Sequence, residues 1–215
     1  MKIHQMDPDV MPEEIVSRYE RNDVIRQFEE TIANYAGAKY GIAVESCSAA
    51  LFLSCLYLKV GKVTIPKKTY HSVPCSIIHA GGKVKFSNDK WSGIYQLKPY
   101  PIWDSAIRFK RDMYIPSTFY CLSFHYAKHI PIGRGGMILV DDIEAAEWLR
   151  KARHDGRSEV PRHEDKITML GWNMYLDPEL AARGLALFYF ITQDNKDLPD
   201  LKINYEDLSQ FKVYA

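Results

Sequence analysis

TFYCLSFHYAKHIPIGRGGMILVD, residues 118–141, decides how the rest of this chain is read. Two apolar runs, residues 118–124 and 137–140, have the length and composition of buried strands. Between them lie a polar turn carrying Lys128 and a loop with Gly133, Gly135 and Gly136. A lysine between two such strands is unusual, because lysine is rarely buried unless it is paired or chemically used. The plain alternative is a solvated lysine on a turn. The chemical one is a desolvated amine that forms a Schiff base with an aldehyde cofactor, of which pyridoxal 5'-phosphate is the commonest. The company Lys128 keeps must decide between them.

Outward from that stretch, residues 40–44 (YGIAV), 62–66 (KVTIP), 83–86 (KVKF) and 100–103 (YPIW) read as further short strands. Val24, Ile25, Phe28, Ile32 and Tyr35 recur at helical spacing between a cap at Asn22 and a stop at Gly37. Other helices are expected over residues 49–58, 72–80 and 143–153, and from the Asp177-Pro178 start to about residue 190. Alternating strands and helices predict an α/β fold with a mostly parallel sheet and helices on both faces. Ligands bind such sheets at the carboxyl ends of the strands. Ser46, Tyr70, Asp104 and Lys128 each fall just past such an end. The strand, small polar turn and helix around Ser46, Cys47 and Ser48 would aim free amides at a phosphate, although turns of this kind are common in α/β folds.

Composition narrows the remaining classes. In 215 residues, 47% are apolar and 26% charged, with a net charge of +1, so electrostatics argue for neither a nucleic-acid nor a membrane partner. The longest apolar run, residues 184–191, is far too short to span a bilayer. The opening MKIHQMDPDVMPEE has no apolar core of the kind a leader needs. Cys47, Cys55, Cys75 and Cys121 show neither metal-ligand nor disulfide spacing, so reduced thiols and a cytoplasmic location are expected, with no metal. The division expected is a cofactor-binding α/β domain over residues 1–156 and a reduced carboxyl-terminal region over 157–215, beginning with a polar surface loop.

With these residues in view, the chain resembles the DegT/DnrJ/EryC1/StrS-type sugar aminotransferases, fold type I pyridoxal-phosphate enzymes, in a strongly shortened form. FEETIANYAGAKYGIAVESCSAAL, residues 28–51, resembles the family's opening helix, strand and phosphate turn, with Ser46-Cys47-Ser48-Ala49-Ala50-Leu51 where the family has Ser-Gly-Thr-Ala-Ala-Leu. IPKKTYHSV resembles the segment whose aromatic stacks on the pyridine ring, here Tyr70. WDSA resembles the segment whose aspartate meets the pyridinium nitrogen, here Asp104. SFHYAKHIPIGRGG resembles the lysine segment, with the Schiff base on Lys128 and a phosphate-binding serine at Ser123. GWNMYLDPELAARGLA resembles a segment whose asparagine, here Asn173, reaches a neighbouring subunit's cofactor.

The resemblance therefore implies a homodimer with shared active sites, binding pyridoxal phosphate through Ser46, Cys47, Ser48, Tyr70, Asp104, Ser123, Lys128 and Asn173. It implies transfer of an amino group from an amino-acid donor to a keto acceptor of sugar type, with Arg134 and His71 toward the substrate. The departures are specific. Ile107 stands where the family has glutamine or histidine, Cys47 replaces a glycine, Arg134 takes an acidic position, and Tyr175 takes an arginine's. The short SNDKWSGIYQLKP, residues 87–99, replaces a strand and helix, and the carboxyl-terminal domain is cut. Two alternatives stay open: another pyridoxal-phosphate reaction, such as decarboxylation or elimination on a free or attached amino acid, and a non-catalytic cofactor-binding regulatory protein.

Overall fold

Strand β7, Gly136–Val140, is buried at every position. Side chains alternate across a strand, so Ile138 and Val140 enter one apolar core while Met137 and Leu139 enter another on the opposite face. That two-sided burial is why the run is continuously apolar. The computed structural model describes residues 21–161, 163–191, 195–198 and 205–214. The leader-free reading of the first residues, and part of the polar tail after residue 191, lie outside them.

The order of elements is α1 (Arg21–Ala36), β1 (Tyr40–Val44), α2 (Cys47–Tyr57), β2 (Lys62–Pro66), α3 (Ser72–His79), β3 (Lys83–Ser87), β4 (Tyr95–Gln96), β5 (Ile102–Asp104), β6 (Phe119–Ser123), β7, α4 (Ile143–Ala152) and α5 (Pro178–Phe188). Local chemistry sets the helix ends. Ser46, Asp142 and Asp177 cap α2, α4 and α5 by accepting from the amides of Ala49, Glu144 and Glu179. Gly37, at φ +80, closes α1 in the left-handed conformation that glycine adopts without strain. Asn22, expected as a cap, falls inside α1.

Helices lie on both faces, as expected. The first core joins α2, α3 and α4 to the sheet, and the second joins α1 and α5. Gly184 brings α5 close to α1, since a Cβ there would meet the Phe28 ring at 2.5 Å. The class is the α/β one expected, but the sheet is mixed rather than mostly parallel. The order is β1-β7-β6-β5-β4, with β2-β3 as a separate pair joined to it by a bridge between Thr64 and Lys98. Only β5–β6 and β2–β3 run parallel; β1–β7, β6–β7 and β4–β5 are antiparallel. Connection length explains the difference. A parallel pair needs a crossover of about a dozen residues or more, usually a helix. Residues 97–101 are too few for one, and the loop over 124–135 contains no helix. Strand β4 went unseen in the sequence, and the strand expected over 100–103 sits at Ile102–Asp104.

Residues past Gly156 fold back on the rest of the chain. Besides α5, the short segment around Leu208 docks beside β2, with Leu208 buried, its amide donating to the Lys67 carbonyl at 2.9 Å, and Asp207 paired with Lys67 at 2.7 Å. A buried ionic cluster ties α1 to the end of α4. Glu29 accepts from the Ala43 amide at 2.8 Å and pairs with Arg153, which also donates to the Ala43 carbonyl at 2.6 Å.

Candidate active site

At the carboxyl ends of β1, β5 and β6 lies a cavity of about 680 Å³. Eight of the residues expected at the site face it: Ser46, Cys47, Ser48, Tyr70, Asp104, Ser123, Lys128 and Arg134. His71 and Asn173 do not line it. His71 is exposed at the start of α3, its ring against that of Tyr70 with centroids 4.1 Å apart. Asn173 is exposed and bridges to His154.

The wall formed by α2 suits an anion. Ser46 spends its side-chain acceptor on the Ala49 amide at 3.0 Å, and its carbonyl takes the Ala50 amide. Among the described residues this leaves the Cys47 and Ser48 amides without an acceptor, at a helix N-terminus that already favours negative charge. Ser48 Oγ meets Ser72 Oγ at 2.6 Å, which fixes α2 against α3. Gly136 lets β7 come up beneath the turn, because a Cβ there would lie 2.5 Å from the Cys47 nitrogen. Backbone cannot yield as a flexible side chain can. Gly136→Ala should therefore cost about 1–3 kcal/mol of stability and weaken anion binding at the turn. Chemical denaturation together with phosphate titration of the variant checks both.

Two groups dominate the rest. Lys128 is half-buried in the loop after β6, where its amide donates to the His125 carbonyl at 2.9 Å. Among the described residues no carboxylate lies within ion-pair reach of its amine. Asp104, 6% exposed, accepts from the Tyr95 hydroxyl at 2.7 Å and from the Ala106 amide at 3.0 Å. Burial pushes its carboxyl above the usual range, opposed by those two donors and by the Lys128 charge. Burial, with the Asp104 charge, holds the Cys47 thiol well up, so this cysteine is a neutral lining group rather than a nucleophile.

Tyr70 is half exposed toward the cavity, and Ile107 is buried in its lining. Arg134 sits at the rim with its guanidinium held by Glu45 at 2.6 Å. Sequence reasoning missed Thr69, Trp91, Tyr95 and Tyr205, which surround Asp104 or line the cavity. One signal was present for Tyr95: the apolar pairs in IYQL and PIWD flank a proline turn, which is a hairpin pattern. The donor set fits pyridoxal phosphate, with open amides for a phosphate, an unpaired amine for an aldehyde and a buried carboxylate for a ring nitrogen. Among the described residues no group of His, Cys, Asp or Glu side chains is placed to hold a metal ion, and no helix is long and apolar enough to cross a membrane.

Comparison with known proteins agrees with the geometry. The profile of the DegT/DnrJ/EryC1/StrS aminotransferase family matches residues 9–95 and 116–196. The stretch left out contains β5, so the place of Asp104 rests on the geometry above. The spore coat polysaccharide biosynthesis protein SpsC of Bacillus subtilis (strain 168) is 24% identical, over 70% of this chain and 48% of that protein. Sugar aminotransferase CalS13 from Micromonospora echinospora superposes with a TM-score of 0.71 at 16% identity, covering 86% of this chain and 66% of that one. PseC of Helicobacter pylori, an aminotransferase involved in pseudoaminic acid biosynthesis, does so with a TM-score of 0.67 at 14% identity, covering 86% and 63%. The fold is that of the fold type I aminotransferases, and the chain spans about half the length of the curated relative it matches.

Proposed function

The chain belongs to the DegT/DnrJ/EryC1/StrS aminotransferase family, and from that premise we propose that it is a pyridoxal-phosphate-dependent aminotransferase with a keto-sugar acceptor. The observation that carries this reading is one cavity that brings together an unpaired half-buried amine, a buried carboxylate and a helix N-terminus with open amides. Pyridoxal 5'-phosphate, when bound, supplies an aldehyde for an amine to join and a ring that draws electrons from the carbon losing its proton. Lys128 Nζ would hold the aldehyde carbon of the bound cofactor, and its amine, when free, would move the proton at the donor's α-carbon. Asp104 favours the protonated ring nitrogen by charge. The Cys47 and Ser48 amides, with the hydroxyls of Ser46, Ser48 and Ser123, would hold the phosphate, and the Tyr70 ring would be the aromatic partner of the pyridine ring.

The sugar-type acceptor draws its support from the relatives named as sugar aminotransferases. Asn173, exposed and not among the residues lining its own cavity, fits the reading in which it completes a partner's site in a homodimer. The four free cysteines fit a cytoplasmic location. The division into a cofactor domain over residues 1–156 and a reduced region beyond belongs to the same proposal. One observation favours the second reading, a different reaction on the same cofactor: Ile107 puts an apolar group in the lining where the resemblance expects a polar one. Borohydride reduction followed by peptide mass mapping tests the main reading, which requires the cofactor adduct on Lys128. In unreduced protein, an amino donor added without acceptor should convert the cofactor to its amine form. Release of carbon dioxide would select decarboxylation, and neither outcome would leave a binding protein.

Asp104 and Arg134 should fail differently. Asp104→Asn removes the charge at the ring nitrogen for every substrate, so kcat falls roughly ten- to a hundredfold, on the order of 1.5–3 kcal/mol. Arg134→Ala should raise KM for substrates with an anionic group and spare analogues lacking it. Unchanged kinetics with every substrate would return Arg134 to a surface partner of Glu45.

A further inference from the structure

Residues 94–104 form a hairpin, and its register has a chemical result. Strands β4 and β5 are antiparallel with Tyr95 directly opposite Asp104. The Tyr95 hydroxyl donates to Asp104 Oδ2 at 2.7 Å. A phenol has one proton, and Tyr95 spends it on Asp104, so the 2.6 Å contact with Thr69 Oγ1 is one in which the threonine donates. Thr69, Tyr95 and Asp104 are all buried, at 2%, 6% and 6% exposure. A carboxylate this dry takes up a proton unless donors hold its charge.

We propose that Thr69 and Tyr95 form a donor relay that keeps Asp104 ionised, making Tyr95 the positioning residue that sets how firmly Asp104 holds a proton on the cofactor's ring nitrogen. The proposal rests on the cofactor reading above. The other titratable groups that act on Asp104 are Lys128, from the loop after β6, Cys47 on α2 and Cys121 on β6. Lys128 favours the carboxylate, while burial keeps both thiols protonated and without charge. Burial and the Asp104 charge also keep the Tyr95 phenol protonated, so it remains a donor. Of the three, only Asp104 lies in the stretch between the two matched segments; Thr69 falls inside the first segment and Tyr95 is its last residue. The short hairpin is what brings a tyrosine opposite the aspartate. A crossover with a helix would leave no antiparallel partner at that position.

The test reads the carboxyl itself. In the apo-protein, carbon NMR of isotope-labelled aspartate, with Asp104 assigned through Asp104→Asn, gives its titration. Tyr95→Phe should move that titration to higher pH, and Thr69→Val, which leaves Tyr95 in place, should move it by less in the same direction. With isotope-labelled pyridoxal phosphate bound, the pyridine nitrogen should shift about tenfold toward its neutral form in Tyr95→Phe, the loss of one hydrogen bond to a charged group. Titrations unchanged in both variants would overturn the relay while leaving the cofactor reading intact. Failure of the unmodified protein to bind pyridoxal phosphate would overturn the functional reading, and the apo titrations would still decide the relay. If Tyr95→Phe fails to fold, an unchanged Thr69→Val titration refutes the proposal and a raised one supports it.

Discussion

Lys128→Ala should give a folded protein that forms no borohydride-stable adduct and transfers no amino group. Two functions leave together, the covalent hold on the aldehyde and the mobile proton carrier. Loss of proton transfer alone costs roughly 10²–10⁴-fold in rate, and loss of the covalent step adds to it. Stability should change little, within about 0.5 kcal/mol, because the amine has no ion pair among the described residues and lies on a loop. The comparison is therefore clean, with the same denaturation curve but no visible band from a covalently held cofactor. An adduct that persists in the variant, mapped to another lysine, would sink the assignment. So would an activity within tenfold of the unmodified protein's.

Much of this site was legible because its chemistry sits at strand ends, and strand ends are local signals. YGIAV ends two residues before Ser46, WD places Asp104, and the polar turn after FYCLS places Lys128, each found from apolar runs and their stops. Pairing was not legible. Whether β7 runs with or against β1 and β6 depends on how the loop over 124–135 returns, and short apolar strands read alike in either direction. The same limit hid Tyr95. Its hydroxyl matters because the register sets it opposite Asp104, a fact of pairing rather than composition. Arg134 shows the limit for charge. Nothing in the glycine-rich loop indicates that its guanidinium meets Glu45 across eighty-nine residues of chain. Cys47 could be read as a departure from a glycine, but only the buried, carboxylate-facing setting makes it a neutral thiol.

The second large effect lies outside the cavity and concerns what holds its phosphate turn in place. Strand β1 pairs with β7 along one edge, and on the other it has only an isolated bridge from Val44 to Tyr175, so no full strand lies opposite the outward amide and carbonyl of Ala43. Glu29 and Arg153 take that place: the glutamate accepts from the Ala43 amide, and the arginine donates to its carbonyl. Both are nearly inaccessible, at 1% and 3% exposure. Arg153→Ala should therefore cost about 3–5 kcal/mol, since it strands a buried carboxylate, against a total of roughly 5–15 kcal/mol for a typical domain. Replacing both members with apolar residues, Glu29→Leu with Arg153→Met, should recover only part of this. The ion-pair desolvation disappears, but the Ala43 amide and carbonyl stay unsatisfied. Acid should expose the same cluster through Glu159, which pairs with Arg153 at 3.2 Å and with Arg26 at 2.6 Å. Burial pushes the Glu159 carboxyl up, but the hydrogen bond from Arg26 and the charges of Arg153, Arg26 and Arg150 outweigh it, so its pKa is lowered. A lowered carboxyl contributes stability that is present above its unfolded pKa and is lost as pH falls through the folded one. Removing Arg153 takes away one of those charges, so the acid unfolding limb of the variant should move to higher pH. Because β1 leads directly into Ser46, cofactor affinity should weaken alongside stability. An Arg153→Ala protein with an unchanged denaturation midpoint would mean that water satisfies Ala43 unaided, and that the cluster does not hold the turn.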